Sequence, residues 1–268
     1  MFEKIKKYFT ILRYQFNLAI MVNSIYRVNF ILMLLQSIVN TMLSVLSIKL
    51  IYGNVDEIAG WDEHQMTILV CVSLIVNQLY RGVVLQGQNF FLTSILRGDF
   101  DRMLLRPISI VYQINLGKFD LISLSSLSAP VILILYELKL AGLELGLGNV
   151  FCTILTIIMG VVTLSAFMML LYSLAFKYVK ADSLMEMYYI IMSMSEKPKE
   201  IIKGRYLLAF FTFFIPVIPL ANVSTGILVG TSDLLQGTCI SLIVGIGFSC
   251  LAVKNVHKQM KRYSSASS

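Results

Sequence analysis

Among the side chains inside otherwise apolar runs that can hydrogen-bond or carry charge, six stand out: Gln36, Asn40, Asn77, Gln78, Arg81 and Glu186. At membrane depth each needs a partner or a water-filled cavity, which makes these residues candidates for lining a solute pathway. For the four amides, hydrogen bonding between helices is the alternative use. Arg81 can snorkel toward an interface or pair with Glu186. The Met and aromatic residues from Met185 to Met194 suit a soft wall for an apolar cargo, and ordinary packing accounts for them equally well. Catalytic chemistry lacks its parts. The sequence holds no GxxxxGK[ST] phosphate loop, no HExxH, no GxSxG and no paired intramembrane aspartates. His64 and His257 fall in segments that read as loops at opposite membrane faces. Cys71, Cys152, Cys239 and Cys250 lie in apolar segments without CxxC spacing, and read as packed or lipid-facing thiols with no metal site.

A second chemistry-bearing stretch is Gly98-Asp99-Phe100-Asp101-Arg102-Met103-Leu104-Leu105-Arg106-Pro107. Gly98 offers a permissive turn, Asp99 or Asp101 can cap a short helix, and Pro107 biases Arg106 away from α geometry. The segment therefore reads as a helical stub of a turn or two. It would present Met103, Leu104 and Leu105 between the charges of Arg102 and Arg106, either to a partner protein or to lipid headgroups. Lys177 to Asp182 is a weaker contact candidate whose lysines read first as flanking charge.

The elements that carry these residues follow from composition. The chain of 268 residues is 57% hydrophobic and 14% charged, with a mean hydropathy of +0.78. A single water-soluble core cannot hide that much apolar surface. Several apolar runs are long enough for a bilayer of about 30 Å hydrocarbon, and they do not alternate as barrel strands do. The fold class is an all-α integral membrane protein. The net charge of +7 arises from Lys and Arg at the ends of apolar runs, which argues against nucleic acid as a partner.

Phe2, Ile5, Phe9, Leu12 and Phe16 recur at helical spacing among Lys4, Lys6, Lys7 and Arg13, so residues 2–24 read as an amphipathic helix on the membrane surface. The first run is too long for a signal-peptide core, and no cleavage pattern follows it. Spans are expected at about 28–52, 65–91, 119–138, 150–176 and 234–253, with 92–118 as a connecting segment. Glu137, Lys139 and Glu144 are expected in the loop between the third and fourth spans. Lys and Arg cluster before the first span, over 97–118, at Lys177 with Lys180 and at Lys254 to Arg262, which puts both termini in the cytoplasm and makes the number of crossings even. For the last third the residues leave two arrangements open. Either 206–230 crosses, with Lys197, Lys199, Lys203 and Arg205 inside, or 182–202 crosses and 206–230 dips back into the outer leaflet. Charge favours the first; Pro216 and Pro219, which break a helix, favour the second.

The pattern Ile95-x-x-Gly98-x-Phe100-Asp101-x-x-Leu104-Leu105-Arg106-Pro107, the Phe214-Ile-Pro216 break and the terminal Arg262-Tyr-Ser-Ser-Ala266 resemble the ABC type-2 permeases. The likeness is closest to a bacterial subgroup long catalogued as a domain of unknown function, and it runs nearly the whole chain. It implies six transmembrane helices, an N-terminal interfacial helix, a coupling segment over 92–118 and a re-entrant hairpin over 206–230 before the last span. That favours 182–202 as the fifth crossing, although Glu196-Lys-Pro-Lys-Glu200 is more charged than relatives usually are.

The resemblance further implies one permease domain over 1–268 in the bacterial cytoplasmic membrane. It would be the non-enzymatic subunit of an exporter that moves an amphiphilic or hydrophobic substrate, such as a peptide, a drug-like compound or a lipid. ATP and Mg would be bound by a partner ATPase dimer that docks on 98–107, and a second permease subunit, homologous or identical, would complete the pore. An ion-gradient-driven secondary transporter is the alternative. It would be expected to show broken helices in matched halves, and the Pro216–Pro219 break has no convincing counterpart. An intramembrane enzyme is a further class, disfavoured by the missing motifs.

Overall fold

A computed structural model describes residues 2–143, 146–174 and 182–261. Among these residues the regular structure is entirely helical, apart from one isolated antiparallel bridge between Ile58 and Trp61. Five helices are long and apolar enough to cross a membrane: Arg27–Tyr52, Glu63–Leu96, Leu121–Leu140, Leu147–Ser173 and Leu234–Met260. The protein is thus a multi-pass helical membrane protein.

Helix α1 (Phe2–Ile25) runs almost directly into α2 (Arg27–Tyr52), with a break at Tyr26. Its protein-facing stripe is Tyr8, Leu12, Gln15 and Ala19, and Phe9 stays exposed. A return loop buries Trp61, and Asp62 then starts the next helix with a capping box. Its carboxylate accepts from Gln65 N, and the Gln65 side chain accepts from Asp62 N.

That helix continues as α3 (Glu63–Tyr80), a π-helical turn (Arg81–Leu85) and α4 (Gln86–Leu96). Its 34 residues reach about 50 Å, well beyond one hydrocarbon thickness. Beyond α4 come the stub α5 (Asp101–Leu104) and the short α6 (Ile110–Leu116). The third apolar segment is made of α7 (Leu121–Ser125) and α8 (Ser128–Leu140), and α9 (Leu147–Ser173) returns. Then follow α10 (Asp182–Ser195), a 3-10 turn (Lys199–Ile201), α11 (Arg205–Phe213), α12 (Asn222–Val229) and α13 (Leu234–Met260).

Helices α9 and α13 form the largest helix pair. Phe167 and Phe248 meet edge to face at 5.7 Å, and Asn255 Nδ2 donates to Ser173 Oγ at 2.6 Å. Small residues permit the close approach of neighbouring elements, as membrane helix packing requires. A Cβ on Gly160 would meet the Leu220 carbonyl at 2.9 Å. The core runs from Val76, Tyr80 and Phe91 through Leu164–Tyr172 to Val244–Val256, and a second cluster around Ile68, Val72 and Leu138 fills the Trp61 end.

Several expectations need correction. Glu137 lies in α8 and not in a loop; it is 1% exposed, with His64 Nδ1 at 2.6 Å and Lys49 Nζ at 3.9 Å. His64 and His257 both lie on helices, near the start of α3 and the end of α13. Over 182–202 the structure has a helix of 14 residues, followed by a turn. Pro216 and Pro219 separate two short helices, and the freed geometry is filled by Val217 and Ile218, which both donate to the Phe211 carbonyl. The Lys177–Lys180 turn, Glu144 and the terminal Arg262–Ala266 motif lie outside the described residues.

Candidate functional site

The π-helical turn sets the first site. At Gly82 the helix gives up its regular bonding pattern, and the Gly82 carbonyl accepts from Asp120 N at 2.8 Å. A Cβ there would lie 2.6 Å from Leu124 Cδ2, so any larger residue would require the Leu124 side chain to shift. Asp120 in turn caps α7, accepting from Ile122 N at 3.0 Å and from Ser123 Oγ at 2.8 Å.

Between α2, α3 and α7 this packing leaves a cavity of about 350 Å³. Gln36 and Asn40 line it from α2, Asn77 and Gln78 from α3, and Arg81 from the π-helical turn. These five of the six intramembrane polar residues singled out by type converge on one space. Gln78 is 8% exposed and its Oε1 has no hydrogen-bond partner among the described residues. Asn77 Oδ1 accepts from the Tyr188 hydroxyl, beside which Arg81 lies.

Glu186 is the exception. It is exposed on α10, away from the cavity lining, and no ion pair joins it to Arg81. The wall that residue type alone misses is Asp120, Ser123 and Ser126. The Asp120-Leu-Ile-Ser123 spacing of a capping residue was its available signal.

The second site is the stub. Gly98, with φ +73°, ends α4 in a Schellman motif: Asp99 N donates to Ser94 O at 2.8 Å and Gly98 N to Ile95 O at 3.2 Å. Neither Asp99 nor Asp101 stands at the N-cap of α5; Phe100 does, without a side-chain cap. Asp99 instead pairs with Arg102 at 3.1 Å.

Met103 does not face outward as its type suggested. It is 1% exposed, and Phe100 is fully buried against Phe91 at 5.8 Å. These two residues anchor the stub inward, which turns Leu104 and Leu105 outward at 40% and 84% exposure. Arg102 and Arg106 are both exposed, and Arg106 also lies over the Phe90 ring. The exposed edge free of that ring contact is Arg102, Leu104 and Leu105.

Two further elements hold the stub in place. Gln113 of α6 donates through Nε2 to Met103 O at 3.0 Å and to Ile108 O at 3.1 Å. Helix α1 straps over the segment: Lys7 Nζ donates to Pro107 O at 2.8 Å, Ser109 N to the Tyr8 hydroxyl at 3.2 Å and Gln15 Nε2 to Gly117 O at 3.1 Å. The Tyr8 and Tyr112 rings pack 4.9 Å apart, and partial burial beside Tyr8 raises the Tyr112 phenol above its ordinary value.

A bundle of apolar helices carrying a polar cavity, together with an exposed stub anchored from inside, is the architecture of a multi-pass membrane protein. The chain belongs to the ABC-2 family of transporter proteins, whose family model matches residues 38–267. The matched region takes in the stub, the Pro216–Pro219 break and the cavity lining from Asn40 onward, but not Gln36. No curated protein and no solved structure matches the chain.

Proposed function

We propose that this chain is the permease subunit of an ATP-driven exporter, docking a separate ATP-binding-cassette ATPase dimer through Arg102, Leu104 and Leu105. The observation that carries the reading is the inward anchoring of Phe100 and Met103, which gives an exposed dileucine edge a rigid base. Force on that edge reaches the bundle by two routes. Gln113 passes it to α6 and α4, and the Lys7, Tyr8 and Gln15 contacts pass it through α1 to α2, the near wall of the cavity. ATP and Mg are bound by the partner, and its closure rocks the bundle between inward and outward access.

Both termini lie in the cytoplasm of a bacterial plasma membrane, with α1 along the surface, Phe9 toward lipid, and six crossings in all. Support for α10 as the fifth crossing comes from its neighbours. Tyr188 meets Asn77 near the middle of the continuous Glu63–Leu96 helix, and Ser195 Oγ lies 2.6 Å from Ser73 Oγ. Glu200 then accepts from Trp61 Nε1 at 2.8 Å, and Lys199 Nζ donates to Ser232 Oγ at 3.3 Å. The α11–α12 segment therefore begins and ends near the Trp61 loop, as a re-entrant hairpin over 206–230 would. Its broken turn, at Pro216 and Pro219, is buried.

The substrate is an amphiphile. Its polar part fits the cavity of Gln36, Asn40, Asn77, Gln78 and Arg81, and its apolar part fits the lipid-facing surface of α2, whose central window is only 17% buried. The same face would seat a second permease subunit, homologous or identical. Reconstitution of the permeases with the ATPase in liposomes, followed by export of a fluorescent amphiphile, tests this reading. Wild-type export should require ATP and fall strongly in Arg81→Gln. Export driven by an ion gradient without the ATPase would overturn it.

A further inference from the structure

Between α1, α4 and α6, behind the stub, lies a separate cavity of about 200 Å³. Two cations converge on its Phe90 wall. The Arg106 guanidinium is 5.8 Å and the Lys118 ammonium 4.6 Å from the ring centroid. Neither forms an ion pair among the described residues, and no acidic side chain lines the cavity. Phe90 contributes a cation–π interaction to each, but it neutralises neither charge.

The opposite wall carries Gln113, 5% exposed. Its Nε2 is committed to Met103 O and Ile108 O, while its Oε1 has no partner among the described residues. A buried acceptor without a donor is unfavourable, and two cations at one ring repel, though both are exposed and water screens them. Both costs vanish for one kind of ligand, an anion that also carries an O–H or N–H donor. Lys118 stands three residues before Leu121, where the third apolar segment begins, so the cavity lies at the membrane boundary. Lipid phosphates occupy that level.

We infer that this cavity binds the headgroup of an anionic phospholipid, its phosphate between Arg106 and Lys118 and a headgroup hydroxyl donating to Gln113 Oε1. Because Gln113 holds the stub through its other end, the bound lipid braces the same carboxamide that positions Met103. The site does not depend on the export reading; it requires only that the chain sit in a membrane. A soluble phosphate ester offers the same groups, and the lipid is favoured by the position of Lys118.

The test uses the full chain in phosphatidylcholine nanodiscs doped with phosphatidylglycerol, with retained phosphatidylglycerol counted by native mass spectrometry. Arg106→Gln and Lys118→Gln should each weaken retention about fivefold, and the double variant about 25-fold. The charge-keeping pair Arg106→Lys with Lys118→Arg should retain most of it. Lys254→Gln with Lys258→Gln, two exposed cations on α13, should change it little. Thermal melts run on every variant separate loss of lipid from loss of fold. If the double Gln variant does not fold, the single variants and Phe90→Leu, expected to weaken retention severalfold, carry the test. Unchanged retention in the cation variants overturns the site. A drop of equal size in the α13 control reduces it to general surface charge and overturns it too. Displacement of the lipid by glycerol phosphate at equal concentration assigns the cavity to a soluble phosphate ester and overturns the lipid assignment.

Discussion

Gln113 donates one side-chain N–H group to Met103 O at 3.0 Å, so a single carboxamide on α6 fixes the main chain of the exposed stub. Replacing Gln113 with Leu leaves the Met103 and Ile108 carbonyls without that donor in a buried setting. The expected cost is about 1–3 kcal/mol. It should appear as a lowered melting temperature of the detergent-solubilised chain and as weaker ATPase binding, with Gln113→Glu intermediate because one acceptor–donor contact can re-form on protonation.

The α1 strap gives a second outcome. Tyr112→Phe removes the hydroxyl that donates to Tyr8 O and Gln15 Oε1, both at 3.3 Å, and should loosen α1 by about 0.5–1.5 kcal/mol. The Tyr112 phenol is raised above its ordinary value by burial. Its contribution is therefore complete below the unfolded phenol value of about 10 and lost only as pH rises beyond it. Amide exchange over residues 6–20 should be faster in the variant at neutral pH, and it should match wild type once Tyr112 is ionised.

Close approaches rank two glycines. A Cβ on Gly87 would lie 2.4 Å from the Ile114 carbonyl, a backbone atom, whereas on Gly82 it meets the movable end of Leu124 at 2.6 Å. Gly87→Ala should therefore destabilise by about 1–3 kcal/mol and Gly82→Ala by less. Thermal unfolding of the two purified variants checks the order.

At the other end, Glu137 is the buried member of its cluster, 2% exposed at the side chain, against 43% for Lys49 and 38% for His64. Removing both partners leaves the buried carboxyl without its contacts, while removing Glu137 leaves the Lys49 and His64 side chains, which reach water. The Lys49→Met with His64→Leu variant should lose about 3–5 kcal/mol, more than Glu137→Leu. The reverse order in unfolding measurements would show that the cluster is hydrated.

How much of this was legible beforehand depends on the signal each residue leaves. The apolar run at 28–52 coincides with the helix Arg27–Tyr52, whereas the run at 234–253 lies in a helix that continues to Met260, because a long apolar run reads as helix but does not mark where the helix ends. Gln36, Asn40, Asn77, Gln78 and Arg81 were legible one by one, since polarity at membrane depth is costly wherever it occurs, but so was Glu186, and their sharing of one cavity was not. The orientation of Met103 was not, because a four-residue helix is too short for periodicity to tell the inward face from the outward one. Glu137 misled for a related reason: a charge near the end of an apolar run reads as loop unless its partners, distant in sequence, are known. The π-helical turn at Arg81–Leu85 leaves no compositional mark.

Topology can be read chemically. Single cysteines at Lys203 and Ser232 in a cysteine-free background should react with an impermeant maleimide from outside the cell, and one at Leu105 only after permeabilisation. Labelling of the Lys203 site from the cytoplasm alone would refute the re-entrant arrangement.

The docking claim is tested most directly by co-purification of the ATPase with a tagged chain carrying Leu104→Asp and Leu105→Asp. Both side chains point outward, so the variant should fold and melt like wild type yet retain less than about a tenth of the ATPase, as expected when charge enters an apolar contact. Wild-type recovery of the ATPase, with cargo-stimulated hydrolysis intact, would contradict the account.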